Sequence, residues 1–192
     1  MKRFAMFGLL LLGGCVVQSF HPFYEENAKV ALPQLAGEWD LIADGTNTKP
    51  ACTPWVFTDE GELITRDDKN LPGKLRASFF KVGGQLFCDL EAGDLEEGRV
   101  NVYWMLHVRP VHTVCKAQLT DRELTLVPLH FNWFKKALVS REIELPHLTA
   151  RGNDVFLVTA TTDQWRKFLQ QHAADTNAFP QNTAYLLRKR PR

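Results

Sequence analysis

Histidine titrates nearest to neutral pH, and the chain carries six: His21, His107, His112, His130, His147 and His172. They are scattered, and none stands in an HExxH pattern, so a zinc protease fails its simplest requirement. No Gly-x-Ser-x-Gly elbow and no glycine-rich phosphate loop occurs. His107 and His112 flank a turn at Arg109-Pro110 and could approach each other across two strands. A metal would need a third ligand that the sequence does not supply, so both read as ordinary polar positions. Asp89 and Glu91 lie two apart on an expected strand, hence on one face, where paired acids in a pocket could move protons. Asp94, Glu96 and Glu97 continue the acidic run, which favours a solvated face over a catalytic pair. No catalytic constellation stands out, and neither a cofactor nor a metal is expected.

Cysteine and tryptophan carry the remaining chemistry. No two of Cys15, Cys52, Cys88 and Cys115 are at CxxC or CxxH spacing. In an oxidising compartment two of Cys52, Cys88 and Cys115 can form one bridge and leave one thiol, and sequence leaves all three pairings open. Unbridged, each packs as a small hydrophobe. Trp39, Trp55 and Trp104 fall on expected strands, Trp133 and Trp165 on expected helices. An inward tryptophan on a barrel strand fills a core or lines a cavity. Core is the commoner fate; Val102, Trp104 and Leu106, on one face of a strand, are the candidate cavity wall.

The elements that must position these residues are mostly strands. Trp55–Thr58 and Glu62–Arg66 read as a hairpin around Asp59-Glu60-Gly61. Leu75–Val82 and Gln85–Glu91 read as another, with Gly83-Gly84 supplying the positive φ of a two-residue turn. Val100–Val108 alternates strongly and predicts a strand, and Val111–Leu119 and Glu123–Val127 predict an antiparallel pair. With the run that opens at Gly37-Glu38-Trp39, these make eight short strands joined by tight turns, which argue for an up-and-down barrel with no exposed sheet edge. Asn132 is the expected cap of a short helix over Trp133–Leu138. The stretch from Ser140 to Ala150 is ambiguous, and Val155–Val158 predicts a ninth strand. Thr161 and Gln164 match a capping box, followed by the helical stripe Trp165, Phe168, Leu169 and His172. Thr183–Arg190 predicts a last strand.

The first fifteen residues dictate where the chain goes. Lys2 and Arg3 precede an apolar run, Phe4–Leu12, and then Gly13-Gly14-Cys15. A basic start, a short greasy segment and small residues describe a secretory signal peptide. The run is too short for the roughly 20 residues of a membrane-spanning helix. Leu12-Gly13-Gly14-Cys15 resembles the lipobox of bacterial lipoproteins. That resemblance implies a leader over residues 1–14, cleaved before Cys15, and a diacylglyceryl group on the Cys15 sulfur. Residues 15–33 then read as a lipid-anchored tether and 34–192 as one domain, long enough for a real core. Val16 rather than Asp follows the cysteine, which by the enterobacterial sorting rule implies the outer membrane, facing the periplasm. Loss of Lys2 and Arg3 takes the formal charge from +1 to −1. The only basic cluster, Arg188–Arg192, is short and terminal, so a nucleic-acid surface has no footprint.

Gly37-Glu38-Trp39 has the Gly-x-Trp form that opens the first strand of lipocalins. Leader, Gly-x-Trp start, hairpin series and late helix together resemble lipocalin-like bacterial lipoproteins. The resemblance implies a mainly β fold: one antiparallel lipocalin-like barrel with one or two short helices near the C-terminus. It also implies a non-enzymatic binder of a small hydrophobic molecule such as a lipid or fatty acid, with Arg188 packed on Trp39. The chain departs from the family in two places. No Thr-Asp-Tyr follows the sixth strand, where Arg109-Pro110-Val111-His112 stands, and two helical segments replace the usual one. The competing reading is a solid barrel that docks a protein partner in an envelope complex.

Overall fold

A computed structural model of the chain describes residues 16–43, 54–67, 70–93, 111–149 and 156–191. Eight strands close on themselves: β2 (Gly37–Ala43), β3 (Trp55–Phe57), β4 (Glu62–Arg66), β5 (Pro72–Val82), β6 (Gln85–Ala92), β7 (His112–Leu119), β8 (Glu123–Pro128) and β11 (Tyr185–Lys189). Each pairs antiparallel with the next, and β11 returns to β2, giving the closed barrel expected of the sequence. The tightest turn is at Gly83 and Gly84, with φ of 56° and 79°; two successive positive values match the twist of the flanking strands.

β6 and β7 pair directly, from Leu86 opposite Ala117 to Glu91 opposite His112. The strand expected over Val100–Val108 lies outside the described residues, and no stave stands between β6 and β7. The eighth stave is instead β11, which the helices separate from β8 in sequence. The expected ninth strand, β10 (Phe156–Val158), is not in the wall. It joins β1 (Gln18–Ser19) and β9 (His147–Thr149) in an extension that meets β7 where Ser19 pairs with His112.

Burial on both faces of the β5–β8 wall divides the apolar residues into two cores. Phe79, Cys88, Cys115 and Leu126 point into the barrel with Trp39, Phe57, Leu63 and Leu187. Their strand neighbours Phe80, Phe87, Val114 and Val127 point outward under α1 (Phe131–Val139) and α2 (Thr162–His172). This explains why these strands carry adjacent large apolar residues rather than simple alternation. α2 begins at the expected capping box: the Gln164 N–H donates to Thr161 Oγ1 at 3.4 Å, and the Thr161 N–H to Gln164 Oε1 at 2.9 Å. α1 starts earlier than expected, with His130 at the cap and Asn132 already inside. The backbone bridge from His130 to Val16 and the burial of Phe131 set that start.

Of residues 15–33, expected as a tether, Val17, Ser19, Phe23 and Tyr24 are buried. Val17 and Phe23 are 1% and 0% exposed. The segment crosses the outer face from β7 to β5, where the Val30 N–H donates to the Phe79 carbonyl at 2.8 Å. Val17, Phe23 and Tyr24 belong to the same outer core as the helices, which is why the segment does not hang free.

The barrel's lower end, where β2 begins, is plugged by Trp39, which is fully buried. Its indole N–H donates to the Leu35 carbonyl at 2.8 Å. Lys189, not Arg188, covers the ring: its ammonium lies 5.4 Å from the ring centroid and donates to the Gln34 carbonyl. The reason is strand parity. Leu187 points inward, so Arg188 points outward, where it meets Glu123 at 3.0 Å, and Lys189 points back to the plug. Gly37, at φ 128°, leaves the room this needs, since a Cβ there would stand 3.3 Å from Lys189 Cε.

Candidate functional site

The lower half of the lumen is filled by Trp39, Phe57, Phe79, Leu124 and Leu187. Above them lies an apolar cavity of about 90 Å³, lined by residues that include Val16, Val17, Trp55, Leu90, Cys115 and Tyr185. Trp55 at the start of β3 and Tyr185 at the start of β11 form one side, with rings 5.7 Å apart. Val16 and Val17 reach the cavity beside the end of β8, where Val16 bridges His130 and Pro128 and Leu129 also line the wall. A cavity this size is smaller than the roughly 150 Å³ apolar void that holds benzene. It is well below the roughly 300–1,000 Å³ of pockets for drug-sized ligands.

On the outer side of the same wall, β6 and β7 hold an acid–imidazole cluster that sequence alone reads as solvated. Asp89 and Glu91 share a face as expected, but Asp89 is 1% exposed, buried under the N-terminal segment. Its Oδ2 accepts the Phe23 backbone N–H at 3.0 Å, and its Oδ1 lies 2.9 Å from His112 Nδ1. Glu91 lies 3.9 Å from the other ring nitrogen and is held by Arg76 at 2.9 Å. Burial pushes the Asp89 carboxyl up, and the hydrogen bonds from His112 and Phe23 only partly reverse this. For His112 burial works against the charged ring, yet the bond and charge of Asp89, with Glu91 behind, outweigh it and raise its pKa.

This pair resembles half of a proton-relay site, and its geometry argues for a clamp instead. The adjacent Ser19 hydroxyl is already used: it donates to the His21 carbonyl at 2.6 Å and accepts the Trp165 indole N–H at 2.7 Å. Both hydrogen bonds of Asp89 tie the segment 16–24 and β7 to β6. His112 is engaged with Asp89; His107, its expected neighbour, lies outside the described residues. Among the described residues no group of three or more His, Cys, Asp or Glu side chains could hold a metal ion.

Of the tryptophans, Trp39 plugs the barrel, Trp55 lines the cavity, and Trp165 is buried between Phe23 and Phe134. Trp133 packs at the edge of the outer core. Leu12, Gly13, Gly14 and Cys15, and the expected wall residues Val102, Trp104 and Leu106, lie outside the described residues. Trp55, Leu90, Cys115 and Tyr185 of the wall found here lie on expected strands, whereas Val16 and Val17 had no signal because their stretch carries no strand pattern. No protein-family model, no curated protein and no solved structure matches this chain.

Proposed function

We propose that this is a lipid-anchored protein of the bacterial cell envelope, set in the outer membrane and facing the periplasm. Its barrel takes part of a small hydrophobic molecule and catalyses nothing. The observation that carries the reading is the apolar cavity in the upper lumen, with Val16, the residue after Cys15, in its wall. An acylated Cys15 would hold that cavity within a residue of the bilayer, about 3.5 Å of chain. The volume of about 90 Å³ suits the tip of an acyl chain rather than a whole lipid. Binding is passive: each Å² of apolar surface withdrawn from water contributes about 25 cal/mol.

The filled lower lumen favours a second reading, a solid barrel that docks an envelope protein. Native mass spectrometry of the full chain, extracted from membranes in mild detergent, separates the two. The first reading expects an acylated N-terminus and co-purifying lipid, with Leu90→Phe, which fills the cavity, losing the lipid but keeping the acylation. An acylated protein without bound lipid, unquenched by brominated fatty acids, leaves the docking module. Cys15→Ser should abolish processing and membrane attachment; a variant still processed and membrane-bound refutes the anchor.

A further inference from the structure

Cys88 on β6 and Cys115 on β7 are direct cross-strand partners, and both side chains point into the lumen. Both thiols are free in this structure and both are buried. Directly opposed residues of an antiparallel pair have Cβ atoms about 4.5–5.5 Å apart. A disulfide needs Cα atoms about 4.4–6.8 Å apart and Cβ atoms about 3.5–4.5 Å apart. Opposed Cα atoms of an antiparallel pair stand about 4.5–5.5 Å apart, inside the disulfide range, and a small approach of the two strands at this pair brings the Cβ atoms into range as well. Cys52 lies outside the described residues; among the described cysteines, Cys88 and Cys115 are set face to face by the ladder itself.

We propose that Cys88 and Cys115 form a disulfide across the β6–β7 ladder when the chain folds in an oxidising compartment. The oxidant is a small-molecule or protein disulfide. One cysteine, as thiolate, attacks a sulfur of that donor and releases the donor's first thiol. The second cysteine then attacks the mixed disulfide and releases the other. The two protons leave the cysteines and end on the two released thiols, and the two electrons reduce the donor.

The timing follows from burial. Inside the closed barrel burial holds the Cys115 thiol at about 12 and pushes the Cys88 thiol well up, so both are poor nucleophiles there. Exchange belongs to the folding chain, while β6 and β7 are pairing and the sulfurs are still open to the donor. The finished bridge staples two staves whose connection, residues 93–111, is long for a hairpin. It also lies in the wall of the apolar cavity, which Cys115 lines. The inference rests on the export reading only for where the chain meets its oxidant.

Refolding the full chain from denaturant with oxidised glutathione, then alkylating and peptide-mapping without reduction, tests the bridge. The expected protein is lighter by two hydrogens, with Cys88 linked to Cys115 and Cys52 alkylated. It should unfold several degrees above its reduced form. Cys52→Ser keeps the bridge, whereas Cys88→Ser and Cys115→Ser lose it. Recovery of Cys88 and Cys115 as alkylated thiols, or of either joined to Cys52, overturns the proposal. The same map made on protein from the membrane fraction reads Cys15 separately. A free Cys15 beside an intact bridge sinks the anchor alone, and an acylated Cys15 beside free Cys88 and Cys115 sinks the bridge alone.

Discussion

Replacing Asp89 with alanine removes a carboxylate that is 1% exposed and leaves two groups without it. The Phe23 N–H loses its acceptor at 3.0 Å, and His112 loses the anion at 2.9 Å. Breaking a buried ion pair from one side costs about 3–5 kcal/mol. The His112 side chain retains 11% exposure and can shed its proton, which places the expected cost toward the lower end. For a chain of this length about 1 kcal/mol moves the midpoint by roughly 2–4 °C, so a loss of about 3 kcal/mol lowers it by about 6–12 °C. Asp89→Asn keeps an acceptor for Phe23 and loses only the charge, so it should fall between alanine and wild type. The effect has a pH signature. The raised pKa of His112 means that its contribution is fully present below about pH 6.5 and fades as pH rises through the folded value. The raised pKa of Asp89 has the same sign, since above it the buried carboxylate must stay ionised. Thermal unfolding followed by circular dichroism, at about pH 5.5 and about pH 9, should show the gap between wild type and Asp89→Ala narrowing with pH. A gap under about 1 kcal/mol at the lower pH, or one that widens as pH rises, would refute the clamp.

Trp39→Ala empties the lower plug and orphans the Leu35 carbonyl, so it should cost about 3–5 kcal/mol in a urea titration. Arg188→Ala should leave the midpoint within about 1 kcal/mol of wild type, because its ion pair with Glu123 is exposed. Lys189→Ala should cost more than Arg188→Ala in the same titration, through the lost ring contact and the lost bond to Gln34. Thr161→Ala breaks the capping box and should lower stability by about 1 kcal/mol, with faster amide exchange in the first turn of α2.

Much of the barrel was legible because its signals are local. Gly83-Gly84 declares its turn through φ values that only glycine adopts freely, and Thr161 with Gln164 declares a helix start through hydrogen bonds spanning three residues. The alternation of β4 and the stripe of α2 likewise follow from the periods of strand and helix. Even the shared face of Asp89 and Glu91 is a local fact. What covers that face is not, because the partner of Asp89 is a backbone N–H 66 positions away.

By itself, then, the sequence determined the element types, most of the strands, the mainly β class and the Gly37–Trp39 start. Tertiary structure alone decided that β11 closes the barrel, that Val17, Phe23 and Tyr24 of the expected tether are buried, and that Lys189 rather than Arg188 guards Trp39. It also decided that Cys88 faces Cys115 and that Asp89 is dry. The physical reason is common to all of these. Periodicity tells a side chain which side of its own strand it occupies, but pairing register and burial depend on segments distant in the chain. Their free energy is gained only when those segments meet.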